Sequence, residues 1–178
     1  INYEDIDTYS ASNNVNMVIE IPAGTNKKIE YDYPSNNFKI DLIDNKEWVI
    51  DFLPYPGNYG YVPSTNMNVD QGGDGDALDI ILISQSMVTG TVLEVIPIGI
   101  ILLSDSGEND SKIIAIPADK NLRVINAVNF INLSSDYPAI KDIIKLFFLN
   151  YKKNDSVKFI GWGDEKKAVE QITKWSLQ

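Results

Sequence analysis

The chain has 178 residues, with 15 basic and 25 acidic side chains (15 − 25 = −10), and is 44% hydrophobic and 22% charged. That is ordinary globular composition, and the length fits a single domain over residues 1–178. Cysteine and histidine are both absent, which excludes disulfides, thiolate or imidazole metal sites, a cysteine nucleophile and Ser-His-Asp chemistry.

In chain order, the first two thirds read as strands. They are Met17–Ile21, Lys28–Tyr33, Trp48–Leu53, Asp79–Ile83, Thr91–Leu103 and Lys112–Ile116, short runs rich in Val, Ile and aromatics with turn chemistry between them. No helical stretch separates successive strands, so a closed or curved antiparallel barrel fits better than a parallel βαβ sheet. The last third changes period: Ile140, Ile143, Ile144, Phe147, Phe148 and Tyr151 follow an Asp136-Tyr137-Pro138 start and predict an amphipathic helix. A short strand over Val157–Ile160 and a terminal helix over Asp164–Trp175, capped near Asp164, complete the chain. The predicted architecture is mainly β, a small barrel with helices packed outside it.

The longest apolar run, Val95 to Leu103, contains a proline and a glycine and falls far short of the ~20 residues of a membrane span. No charged-then-apolar segment at the start of the sequence resembles a signal peptide, and the expected location is cytoplasmic. A charge of −10 with one arginine, Arg123, argues against a nucleic-acid partner.

Two stretches concentrate acids. In Gly72-Gly73-Asp74-Gly75-Asp76-Ala77-Leu78-Asp79 the glycines let the backbone fold three carboxylates toward one point at the mouth of a strand. In Asp105-Ser106-Gly107-Glu108-Asn109-Asp110-Ser111-Lys112 a hairpin-like loop carries an acid at each shoulder. Both read equally as solvated turns, since Asp, Asn and Gly are turn residues. An EF-hand is excluded by Gly72 and Ile81 at the third and twelfth loop positions. Oxygen ligands alone would suit Mg²⁺, Mn²⁺ or Ca²⁺. Tyr55-Pro56-Gly57-Asn58-Tyr59-Gly60-Tyr61 reads either as an aromatic surface turn or as a rigid loop presenting phenols to an anion. The Tyr151-Lys152 pair by itself is ordinary for a helix end.

Taken together and in order, these pieces resemble the soluble family I inorganic pyrophosphatases. The carriers are Ile19-Glu20-Ile21-Pro22, Lys28-Ile29-Glu30, YPGNYGY (55–61), DGDALD (74–79), Asp105, Asp110 and Lys112 before IIAIP (113–117), FFLNYK (147–152), and Gly161-Trp162. The resemblance implies an OB-like five-stranded closed barrel and metal-dependent hydrolysis of inorganic pyrophosphate to two orthophosphates. The metal would be Mg²⁺, with Mn²⁺ a substitute and Ca²⁺ an inhibitor. By position, Asp74, Asp79 and Asp110 would hold the metal pair that generates the nucleophile. Asp76 would be the general base. Asp105 with Asp110 would hold metal arriving with substrate, and Glu20 would assist through water. Lys28, Lys112, Tyr59, Tyr151 and Lys152 would grip the phosphates, while Tyr55 and Glu30 would line the cavity.

The resemblance also exposes departures. Leu42 stands where the family places a phosphate-binding arginine, and Asp105-Ser106 replaces its common Asp-Glu pair. Leu146 and Asn150 fall where bacterial hexamers carry interface histidines, which leaves the order open; a homo-oligomer, hexamer or smaller, is still expected. Two other readings compete. One is a catalytically weakened barrel of the same fold acting as a metal- or phosphate-binding or regulatory module. The other is a single-strand binder stacking bases on Tyr55, Tyr59 and Tyr61, which lacks the positive groove that such binding needs.

Overall fold

The computed structural model describes residues 1–152 and 156–177. Its strands are β1 (Val15–Ile21), β2 (Ile29–Asp32), β3 (Asn37–Ile40), β4 (Leu42–Ile43), β5 (Lys46–Glu47), β6 (Asn58–Tyr61), β7 (Asp79–Leu82), β8 (Val92–Asp105), β9 (Glu108–Asn109), β10 (Lys112–Pro117) and β11 (Val157–Gly163). The helices are α1 (Phe130–Asp136), α2 (Pro138–Asn150) and α3 (Glu165–Trp175). Strands run β1-β6-β7-β10-β8, and β8 pairs back with β1, so five strands close into the expected ring. The long β8 makes closure possible. It pairs β1 through Val92–Val95, β10 from Val95 to Ile101, and β11 from Ile100 to Asp105. Its register slips against β10 beside Pro97 and Gly99, where a proline and a glycine suit a bend.

Strand alternation builds two apolar layers. On β10, Ile113 and Ala115 face one cluster with α3, while Ile114 and Ile116 face the other with α1 and α2. Helix α2 buries Ile144, Phe147 and Phe148 and leaves Ile143 exposed, so the predicted apolar stripe is one residue narrower than its spacing suggested. Helix α3 starts as expected: the Asp164 side chain accepts from Lys167 N–H at 2.9 Å, and Ala168, Ile172 and Trp175 point inward. Among the described residues no helix is long and apolar enough to cross a membrane.

Several elements differ from the sequence reading. β7 and β10 pair in parallel, with Ile80 opposite Ile113, because β8 crosses back between them where a helix would otherwise be needed. Trp48–Leu53 is not a strand. Only Val49 makes a bridge, to Lys27, since the chain here must turn out of the β4–β5 hairpin and into Pro54. Residues 58–61, read as loop, form a buried strand. Gly60 is there for close approach: a Cβ would lie 1.9 Å from the Val18 carbonyl oxygen. Helix α1 was not anticipated; its Asn129 cap accepts from Asn132 N–H at 2.8 Å.

Candidate active site

The ring's strand registers place chemistry on one face. Tyr61 lies opposite Asp79 and Tyr59 opposite Ile81 in the β6–β7 pair, so Tyr59, Tyr61 and Asp79 project together. β1 adds Glu20 at the irregularity between Ile19 and Ile21, and bulges of this kind re-aim a side chain. Lys112 opens β10 beside Asp79, and Asp105 ends β8. All of these line a cavity of about 340 Å³.

Loops deliver the remaining acids. Asp76 N–H donates to Asp74 Oδ1 at 2.9 Å, and Gly75, at φ +91°, turns the chain between them. Gly75 N–H donates to the Met67 carbonyl at 2.8 Å and Asn66 Nδ2 to the Gly75 carbonyl at 2.6 Å, which pins the loop from below. Asn109 N–H donates to the Gly72 carbonyl at 2.9 Å, tying the two acidic segments together. The second segment is a two-residue hairpin whose Ser106 and Gly107 both have positive φ. It sets Asp105 and Asp110 on the same cavity.

Lysines stand among the acids. Lys112, 1% exposed, donates to Asp79 Oδ2 at 2.7 Å and to Asp110 Oδ1 at 3.0 Å. Lys28 pairs with Glu30, and Lys152 with Asp105. Burial pushes the Asp79 carboxyl up, but Lys112 and Lys28 outweigh it and hold the group below the usual carboxylate range. Asp105 is likewise lowered, burial being overcome by Lys152 and Ser156. Burial would lower Lys112, yet Asp79 and Asp110 raise it well above an ordinary lysine. Two other acids behave oppositely. Burial and the neighbouring Asp74 raise Asp76, and burial pushes Glu20 up to about 8 against the opposing pull of Lys28. Carboxylates of divergent proton affinity in one cavity are what proton-transfer chemistry uses.

Donor chemistry also fits a hard cation. The cavity offers carboxylate oxygens without imidazole or thiolate donors, and Asp110 Oδ2 is buried with no hydrogen-bond partner among the described residues. Among those residues no three acidic side chains converge on one point, because Lys112 lies between Asp79 and Asp110.

Of the residues singled out from sequence, Glu20, Lys28, Glu30, Tyr59, Asp74, Asp76, Asp79, Asp105, Asp110, Lys112, Tyr151 and Lys152 all border the cavity. Tyr55 does not. It is 2% exposed and stands behind the wall, 5.1 Å from the Tyr59 ring and 4.9 Å from Phe147. Leu42 is 57% exposed on the β4–β5 hairpin and does not line the cavity, whereas Trp48, just past that hairpin, does. Trp48, Tyr31 and Tyr33 were not assigned site roles, and Tyr61 had one only as a base-stacking platform and as part of the 55–61 phenol loop. Only Tyr61 carried a usable signal, its two-residue spacing from Tyr59 along one strand.

Comparison with known proteins identifies the family. The family model described as inorganic pyrophosphatase matches residues 17–178. The chain is 37% identical to the inorganic pyrophosphatase of Saccharolobus solfataricus, over 92% of this chain and 91% of that one. It is 38% identical to that of Haemophilus influenzae, over 89% and 85%. It superposes on the crystal structure of the Thermus thermophilus enzyme with a TM-score of 0.82 at 30% identity, covering 97% of this chain and 95% of that one. A Trypanosoma cruzi vacuolar soluble pyrophosphatase, solved in complex with PPi, gives 0.86 at 27% identity, covering 97% and 75%. Backbone and sequence thus agree from β1 to α3, and the chain belongs to the family I inorganic pyrophosphatases, which are metal-dependent hydrolases of pyrophosphate.

Proposed function

We propose that residues 1–178 act as one catalytic domain and that the cavity beside Asp79 is where pyrophosphate is cleaved, with Mg²⁺ as the working metal. The reading is carried by one observation: five ring strands, the segment around β2, two loops and the end of α2 turn eight acids and three lysines onto one cavity of about 340 Å³. Asp74, Asp79 and Asp110 would hold the first cations, and Asp105 with Asp110 those that accompany substrate. Bound there, a divalent cation supplies charge neutralisation and makes a water more acidic.

The protein's own groups do the rest. Asp76, raised by burial and by Asp74, takes a proton from the attacking water. The oxygen of that water bonds to one phosphorus as the bridging P–O bond breaks, and the bridging oxygen leaves with the other phosphate. Lys28, Lys112 and Lys152 keep their charge, held up against burial by Tyr55 and Glu30, by Asp79 and Asp110, and by Tyr151 and Asp105 respectively, and they hold phosphate oxygens with the Tyr59 and Tyr151 hydroxyls. Cation exchange at Asp79 and Asp110 would turn Lys112 toward the substrate. Glu20 and Glu30 orient water and Lys28. Positioning and charge are the main demands of phosphoryl transfer, and no histidine is needed.

A cytoplasmic location and a homo-oligomer, hexamer or smaller, belong to the same proposal. The second is supported by Ile143 and Leu146, 51% and 55% exposed on the outer side of α2, and light scattering tests it. For the activity, orthophosphate release from pyrophosphate is measured with Mg²⁺ and with excess EDTA. Release only with metal, and barely any from a phosphate monoester, is expected; full activity in EDTA would sink the reading.

A further inference from the structure

One wall of the cavity holds a group with no part in this chemistry. Tyr61 ends β6 on the same face as Tyr59, with Val18 across from it on one side and Asp79 on the other. It is 5% exposed, and its hydroxyl has no hydrogen-bond partner among the described residues. Buried polar atoms in native proteins are nearly always satisfied, by protein or by ordered water, and phenylalanine would fill the same space without that cost.

The surroundings narrow what satisfies it. The ionisable neighbours of this hydroxyl are Tyr33, Glu20, Tyr31 and Tyr3. The Tyr31 hydroxyl already donates to Asn36 Oδ1 at 2.7 Å, and the Tyr3 hydroxyl to the Gly90 carbonyl at 3.0 Å. Glu20 Oε1 accepts from Tyr31 N–H at 2.8 Å, so its second oxygen is the carboxylate acceptor of this corner, beside the weaker phenol oxygens of Tyr33, Tyr31 and Tyr3. No direct Tyr61–Glu20 bond forms, and a trapped water needs two to four polar partners.

We propose that Tyr61 is a positioning residue: its hydroxyl and the second carboxylate oxygen of Glu20 hold one water between them on the cavity wall, fixing Glu20 toward the reacting end of the substrate. With Glu20 in its carboxylate form, Tyr61 donates to the water oxygen, one water hydrogen goes to Glu20, and the other faces the cavity. The inference rests on the reading of this cavity as the pyrophosphate site.

Its test is a double-mutant cycle of Tyr61→Phe and Glu20→Gln, measured as kcat, KM and Tm with pyrophosphate and Mg²⁺. Tyr61→Phe should lower kcat about tenfold, the loss of one oriented hydrogen bond, with KM within about twofold and Tm equal or higher. In the Glu20→Gln background the same change should have little further effect on kcat, because the pair acts as a unit. Unchanged kcat in an otherwise active enzyme overturns the inference. So does an undiminished loss in the Glu20→Gln background, or a loss of kcat that only tracks a lowered Tm, which would assign the hydroxyl to stability alone. A wild-type protein that released no orthophosphate would instead overturn the reading of the cavity, and this inference with it.

Discussion

Asp76 and Asp79 are three residues apart, yet the structure sets them in opposite electrostatic states. Asp79 is bonded to Lys112 and lowered, while Asp76 has Asp74 beside it and is raised. Asp76→Asn should therefore cut turnover by about 10²–10⁴-fold with metal affinity nearly intact. Asp79→Asn should weaken metal binding first, and calorimetry that found equal losses of metal in both variants would reverse the roles. Glu20 makes a pH prediction. Its carboxyl rises from an ordinary 4.5 to about 8 on folding, chiefly by burial. The folded protein then binds the proton more tightly than the unfolded chain, so this contribution to stability is full below about pH 4.5 and is lost as pH rises through 8. In EDTA, Glu20→Gln should leave Tm unchanged at pH 4 and raise it relative to wild type at pH 9; a constant difference at both would disprove the shift. Leu42 is the position where the family pattern places a phosphate-binding arginine. Being exposed and opposite Glu47 across the hairpin, an arginine there has a carboxylate at hand outside the cavity. Leu42→Arg should keep kcat/KM within about threefold of wild type, the scale of an exposed ion pair, and a tenfold gain would show the side chain swinging inward.

At the scale of elements, the tightest constraint is the β1–β6 contact. Gly60→Ala would force a Cβ to 1.9 Å from the Val18 carbonyl oxygen, and neither strand can yield without opening the ring. A loss of about 3 kcal/mol or more in denaturant unfolding is expected; a loss under 1 kcal/mol would mean the strands separate easily. That same glycine hid β6 from sequence reading, because Pro56, Gly57 and Gly60 look like turn residues when cross-strand approach cannot be seen. Strands with clean alternation or continuous Val/Ile runs (β1, β7, β8, β10) were legible, as was the cap and period of α3. The parallel β7–β10 pair was not, since register lies in long-range contact and not in local pattern. The site divides the same way. Its acids and lysines sit in compact motifs and were found, whereas Trp48 and Tyr33 come from segments with no motif and reach the cavity only through the hairpins around Lys28. Tyr55 lies inside its motif but behind the wall, a distinction of depth that spacing does not encode.

For the whole molecule, a net charge of −10 and an anionic substrate repel each other, so cations must mediate both binding and stability. Asp110 Oδ2 is buried without a partner, and Asp74 and Asp76 are raised by burial and by their acidic neighbours. On the proposed reading these groups destabilise the fold when ionised, and a divalent cation held among them would offset that. A ligand that binds only the folded state adds RT ln(1 + [L]/Kd), about 2.7 kcal/mol at one hundred times Kd. For a chain of this length that is roughly 5–10 °C in Tm. Mg²⁺ should produce such a rise, and Ca²⁺ a similar one, because the cage is built of oxygen. Turnover should separate the two ions: Ca²⁺ takes more ligands in a looser, longer shell and positions water poorly, so it should stabilise the protein while supporting little hydrolysis. Lys112→Met adds a second check, because this lysine occupies the space between Asp79 and Asp110. Removing its charge should enlarge the Tm rise with either ion and still lower kcat. If saturating Mg²⁺ left Tm unchanged, or if Lys112→Met reduced the rise, the acids around Asp79 would not be where cations bind.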